Sequence, residues 1–185
     1  MQAQVYTGQN FPSSGEIYPL LADTSPYSFT SDPSMFEQPA PWYFPQFAYD
    51  QIDTIRFVEP SATAFATDFT FATVALEDTA HQDFFGTSFL FASNGNLMSE
   101  GGVVQPPAGD PIAMVYNSPI MWLDLPLQLS NSLRDTAWAE LLRTGTEVGI
   151  PVDSIRLKRT VFRSDTVDAV GTLTLPGSIF EDAIR

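Results

Sequence analysis

Residues 84–104 read Phe84-Phe85-Gly86-Thr87-Ser88-Phe89-Leu90-Phe91-Ala92-Ser93-Asn94-Gly95-Asn96-Leu97-Met98-Ser99-Glu100-Gly101-Gly102-Val103-Val104, and this stretch decides the fold class. Two apolar runs, Phe84 to Ala92 and Leu97 to Val104, flank Ser93-Asn94-Gly95-Asn96. Asn-Gly suits the two central positions of a tight hairpin turn, where both residues take positive φ. The stretch therefore predicts two antiparallel strands. Outward from it the same vocabulary recurs. Phe65, Thr67, Phe69, Phe71 and Thr73 alternate, which predicts a strand with these side chains on one face. Pro106-Pro107-Ala108-Gly109-Asp110 is a loop, and Ile112 to Tyr116 another strand. Ile155/Leu157 and Leu173/Leu175 keep a two-residue spacing, with Gly171 marking a bulge or a close backbone approach.

One segment reads differently. Leu133, Ala137, Trp138, Leu141 and Leu142 are spaced as on one face of a helix, and Ser130 to Ser132 can cap it. Local propensity predicts a helix there, although every neighbouring segment reads as strand. Residues 1–49 are different again. Pro12, Pro19, Pro26, Pro33, Pro39, Pro41 and Pro45 leave no room for a helix longer than two turns. This segment is expected to be an extended, aromatic-anchored arm packed on the sheet of residues 50–185, within one domain. The expected fold is all-β: an antiparallel, jelly-roll-like β-sandwich with an extended Pro-rich N-terminal arm.

Composition narrows the chemistry. The 185 residues carry 22 acidic and 8 basic side chains, a formal net charge of −14, which disfavours nucleic acid or an anionic membrane as partner. There is no cysteine and one histidine, His81, so thiol chemistry and a multi-His metal site are excluded within one chain. No apolar run approaches the length of a membrane helix, so membrane insertion is not expected. No cofactor motif is present either. The acidic residues are scattered and form no Asp-x-Asp-x-Asp-Gly loop, which favours a solvated acidic surface over a calcium site. Residues 1–150 hold 17 acids and 3 bases, whereas residues 151–185 hold 5 of each. Arg156, Lys158, Arg159 and Arg163 cluster in one segment, read as a basic strand pairing beside acidic ones. The start Met1-Gln2-Ala3-Gln4 suits either an exported protein relieved of its leader or an ordinary cytosolic terminus.

Two longer stretches carry a family likeness. One runs Trp42-Tyr43-Phe44-Pro45, Asp53-Thr54, Val58-Glu59-Pro60-Ser61-Ala62-Thr63 and Asp68-Phe69. The other is Val167-Asp168-Ala169-Val170-Gly171-Thr172-Leu173-Thr174-Leu175-Pro176-Gly177, followed by Ala183-Ile184-Arg185. Together they resemble the N-terminal β-rich region of secreted and cell-surface proteins of Bacteroidota, many of which carry a C-terminal sorting domain for type IX secretion. The motifs are structural, and Tyr43, Pro45 and Val170 depart from the family's usual Asp, Ser and aromatic residue. The resemblance implies an extracellular or surface-located all-β module cut from a longer chain. It also implies that Leu133 to Arg143 is a strand hairpinning with Ser154 to Arg163, against the local helix reading.

Catalytic constellations are thin. A Ser-His-Asp site would need His81 as base, and no Gly-x-Ser-x-Gly elbow accompanies it. A glycoside hydrolase needs only two carboxylates, a criterion that 22 acids satisfy too easily. Trp42, Tyr43 and Trp122 are the candidate ligand-binding residues, as a platform for stacking sugar rings, although each equally suits a core or arm anchor. The expected role is a non-catalytic structural, adhesion or assembly module. Partners would be surface glycans or proteins, with self-assembly through the arm or an open strand edge. A carbohydrate-binding module and a carboxylate-dependent glycoside hydrolase are the alternatives.

Overall fold

The computed structural model describes residues 11–22, 42–43, 51–78, 85–106, 108–175 and 177–184. Its strands are β1 (Ile17–Ala22), β2 (Trp42–Tyr43), β3 (Gln51–Val58), β4 (Val74–Asp78), β5 (Thr87–Ser93), β6 (Asn96–Val104), β7 (Ile112–Leu123), β8 (Ser132–Thr144), β9 (Ser154–Thr166), β10 (Val170–Leu175) and β11 (Ser178–Ile184). Six of them form a sheet in the order β1-β3-β4-β5-β6-β7, antiparallel throughout. A second sheet, β11-β10-β2, and a ribbon, β8-β9, account for the other strands of the described residues. The fold is all-β and sandwich-like.

The hairpin β5–β6 turns at Asn94 and Gly95, with φ of 51° and 84°, and Ser93 pairs with Asn96 across it. These are the left-handed conformations that Asn-Gly tolerates best. Farther along β6, Glu100 is bulged out of the ladder with β5, and β7 carries Tyr116 to Pro119 as an unladdered insertion opposite Ser99–Gly101. Pro119, which has no N–H to donate, sits where no ladder bond is required. Gly101 has φ of 138°, and a Cβ there would lie 2.2 Å from the Met114 carbonyl oxygen, so β6 and β7 meet too closely for a side chain. The register of β10 and β11 shifts between Gly171 and Leu173, the irregularity expected at Gly171.

The six-stranded sheet is covered on both faces. On one, Phe89, Ala75 and Val103 pack beneath Phe65, Phe69 and Ala72 of the connection between β3 and β4. That connection corrects the strand expected from the alternation of Phe65 to Thr73. It is a 3-10 turn, Pro60–Ala62, followed by turns and bends. Packing and one carboxylate, rather than a ladder, set its path. Phe69 stacks on Phe89 with ring centroids 4.0 Å apart, and Phe71 and Ala72 donate their N–H groups to Glu100 Oε2 at 3.0 and 2.8 Å. Glu100 is 5% exposed, and burial raises its pKa despite those two bonds.

The other face carries Phe85, Met114, Tyr116 and Ile120, and is covered by Ala137, Ala139 and Leu141 of β8 with Leu157 and Val161 of β9. The segment with helical spacing is thus a strand, paired residue for residue from Ser132↔Thr166 to Thr144↔Ser154. The ribbon shares no backbone ladder with β7. Side chains join them instead: Met121 N–H donates to Asp135 Oδ2 at 2.7 Å, and Trp138 N–H to Asn117 Oδ1 at 2.8 Å. Of the N-terminal arm, β1 is described as an edge of the large sheet and β2 as a short parallel partner of β10. Pro19 falls in that edge strand, where a missing N–H is tolerated. Apart from residues 11–16, which lead into β1, the remainder of the arm lies outside the described residues, as does His81.

Candidate functional site

The basic cluster near the C-terminus is divided by strand parity. Successive residues of β9 point to opposite faces, so Arg156 and Lys158 look outward while Arg159 and Arg163 look toward the sheet. Outward, Arg156 Nη2 lies 2.8 Å from Glu140 Oε2 on β8. That bond lowers the pKa of Glu140 and raises that of Arg156. Lys158 Nζ lies 5.2 Å from the Trp138 ring centroid. Inward, the Arg159 guanidinium lies 4.5 Å from the centroid of Phe85, and that of Arg163 lies 5.7 Å from the centroid of Trp122 while it ion-pairs with Asp165. Both are cation–π distances. The expectation of a basic strand pairing beside acidic residues holds for Lys158 and Arg163, opposite Glu140 and Asp135 in the ladder, and for Arg156 through its ion pair with Glu140, while Arg159 and Arg163 also serve the interior.

Two spaces open around the inward arginines. A cavity of about 240 Å³ lies between the sheet and β9, lined among others by Ser88, Ser99, Tyr116, Trp122, Arg159 and Arg163. Burial raises the Tyr116 pKa, and the nearby positive charge of Arg159 works against that rise. A more open groove of about 630 Å³ adjoins it at the end of the ribbon, with Trp122, Asp124, Asn131, Arg163 and Asp165 in its walls. Trp122 and Arg163 line both spaces, so they form the partition between cavity and groove.

The groove's floor is held by the connection from β7 to β8. Leu125 N–H donates to Asn96 Oδ1 at 2.9 Å, and Asn131 Nδ2 donates to the Pro126 carbonyl at 3.1 Å. Ser130 N–H donates to the Val167 carbonyl at 2.7 Å, and Val167 N–H returns a bond to the Asn131 carbonyl at 2.9 Å. Three of these hydrogen bonds tie the loop to the β5–β6 turn and to the segment after β9, and the fourth closes the loop on itself. The walls are therefore set before anything enters the groove.

Of the candidate ligand-binding residues, Trp122 is half-buried on β7 and lines the groove. Trp42 and Tyr43 pair with Leu173 and Thr174 of β10 in a different sheet, and their side chains lie outside the described residues. Sequence reasoning missed Arg163, Asp165, Asp124 and Asn131. The parity of Arg163 on a strand of known register was the available signal for the first of these.

A third, open groove of about 560 Å³ gathers Asp68, Asp110, Arg143 and Glu147. There Glu147 Oε2 accepts the Thr144 N–H and hydroxyl at 2.7 and 2.8 Å, which lowers its pKa. A carboxylate so held suits a loop clamp and makes a poor general acid at neutral pH. Among the described residues, no group of three or more histidines and carboxylates stands ready for a metal ion, and no helix is long and apolar enough to cross a membrane. Comparison of the chain with protein-family models, with curated proteins and with solved structures finds no match.

Proposed function

We propose that the chain is a non-catalytic contact module of an exported, surface-located protein, and that it assembles through the outer face of the β8–β9 ribbon. One observation carries this reading. The solvent side of the ribbon bears Phe162 at 79%, Leu142 at 63% and Trp138 at 42% exposure, three large apolar side chains on one face of one hairpin. Around them stand Arg134, Arg156 and Lys158 against Glu140 alone, a net positive face on a chain of charge −14. Aromatic and arginine side chains over an apolar centre are the usual composition of a contact surface. The complementary partner is acidic, and a second copy of the chain suits it by charge, since the first 150 residues hold 17 acids and 3 bases. The resemblance to exported Bacteroidota proteins supports the extracellular setting.

Sedimentation velocity across a concentration and salt series tests the proposal. The protein is expected to self-associate, less so as salt screens the charge pairing, and a Leu142→Thr/Phe162→Thr variant with unchanged melting is expected to stay monomeric. Wild-type protein that remains monomeric up to about millimolar concentration overturns the assembly reading. Carbohydrate binding is a second reading, favoured by the position of Trp122 in the groove wall.

A further inference from the structure

The groove at the end of the ribbon gathers a set of side chains that packing alone does not require. Asp124, Asn131, Arg163 and Asp165 line one open space whose other walls are apolar at Trp122, Leu123, Leu127, Leu133 and Val167 and hydroxylic at Ser132, Ser164 and Thr166. A space of this kind, mainly apolar with a few oriented polar groups, is the usual form of a small-molecule site, and about 630 Å³ falls within the usual volume range. Its chemistry is specific. Arg163 presents a planar donor fork, oriented by its ion pair with Asp165 and its position beside the Trp122 ring. Carboxylates and an amide supply acceptors around it.

We infer that this groove binds the end of a neutral saccharide, with Trp122 meeting the apolar face of a sugar ring and Arg163, Asp165, Asp124 and Asn131 hydrogen-bonding its hydroxyls. The inference deepens the carbohydrate reading and is independent of the ribbon's outer face. Neutrality follows from the charge balance: two aspartates face one arginine in the groove, and the chain as a whole carries −14, so an anionic ligand is repelled. Vicinal hydroxyls match planar carboxylate, amide and guanidinium groups, each of which offers paired donors or acceptors. The preset loop from Asp124 to Asn131 lowers the ordering cost of binding. The smaller cavity behind Trp122 and Arg163, with Ser88, Ser99 and Tyr116 in its walls, offers a polar pocket for a substituent on that ring.

The test uses the intact chain against a panel of short neutral oligosaccharides (β-1,4- and β-1,3-glucans, xylan and mannan fragments), with an oligogalacturonate as the anionic member. Saturation-transfer NMR identifies binders, and calorimetry measures them. At least one neutral oligosaccharide is expected to bind with a Kd no weaker than about millimolar. Asp165→Ala, at an exposed position and with its melting checked against wild type, is expected to weaken that binding about tenfold or more, and Asp124→Asn to weaken it less. Failure of every neutral sugar to bind overturns the inference, as does a preference for oligogalacturonate or equal binding by wild type and Asp165→Ala. Repeating the measurement on Leu142→Thr/Phe162→Thr separates the two readings: saccharide binding is expected to survive there while self-association is lost. Loss of sugar binding in that variant would place the ligand on the ribbon and overturn the groove assignment.

Discussion

Hairpins β5–β6 and β8–β9 are built from the same local chemistry, yet they stand in opposite relations to water. The first is enclosed on both faces, with Phe89 and Leu90, adjacent in sequence, buried on opposite sides of the sheet. The second is enclosed on one face only. Ala137, Ala139 and Leu141 look inward, while Trp138, Glu140 and Leu142 look out. In the strands of the first hairpin every side chain but Ala92 is at least partly buried. In the second, half of them are exempt from packing and available for contact, and that half carries the most exposed aromatic of the described residues, Phe162. Substitutions should therefore cost most in β6, less on the inner face of the ribbon and almost nothing on its outer face.

The largest effect is expected at Glu100. Glu100→Ala leaves the Phe71 and Ala72 N–H groups without their acceptor beneath the β3–β4 connection, at about 2–5 kcal/mol in urea denaturation. Glu100→Gln keeps an oxygen acceptor there and isolates the charge. Burial raises the folded-state pKa of Glu100, so the folded chain holds that proton more tightly than the unfolded chain does. Stability from this group is then fullest below the ordinary glutamate range and falls as pH rises toward the folded value. Glutamine does not titrate. The variant should gain on wild type as pH rises above the ordinary glutamate range, and a stability difference independent of pH would show that the carboxylate is not desolvated.

The next effect is on the ribbon's inner face. Ala139 is small because β8 lies close over Phe85, Met114 and Ile120. Ala139→Leu overfills that layer and is expected to cost about 1–3 kcal/mol. Trp138→Leu, one residue away and facing outward, should cost less than about 1 kcal/mol. Thermal melting of the two variants reads the alternation directly, and equal losses would contradict the one-sided burial of β8.

How much of this was legible in the sequence differs between the two hairpins for a physical reason. The turn at Asn94-Gly95 is a local requirement for positive φ, and residue identity reports it without knowledge of the rest of the chain. In β8, Leu133, Ala137 and Leu141 are spaced by four, and a four-residue step returns to the same face of a strand as well as nearly to the same face of a helix. Only Trp138 and Leu142 separate the two: a helix would bury them with the others, and the strand exposes them. The family resemblance implied the strand, whereas local spacing left the choice to propensity. The alternation from Phe65 to Thr73 misled in the opposite direction. Its phenylalanines answer to neighbours brought in from elsewhere, Phe69 to Phe89, while Phe71 stays exposed. The groove was the least legible feature. Trp122, Asp124, Asn131 and Arg163 come from β7, a loop and β9, and no spacing along the chain brings them together.

The smallest effect on stability is also the sharpest test of the comparison. Phe162 lies opposite Thr136 on the outer face, so Phe162→Thr replaces an aromatic–Thr pair by a Thr–Thr pair. Both residues are β-branched or aromatic and suit a pleated strand, so the backbone has no reason to object. At 79% exposure little apolar area is removed from water in the first place, and the expected change in stability is within about 0.5 kcal/mol. The neighbouring Glu140–Arg156 pair is likewise exposed, and its removal should be felt mainly through salt dependence. A melting temperature that drops on Phe162→Thr as far as it does on Ala139→Leu would mean that the outer face is packed against something in the isolated chain. An unchanged melting temperature, combined with lost self-association, would mean that this phenylalanine contributes to contact between molecules and not to the fold of one.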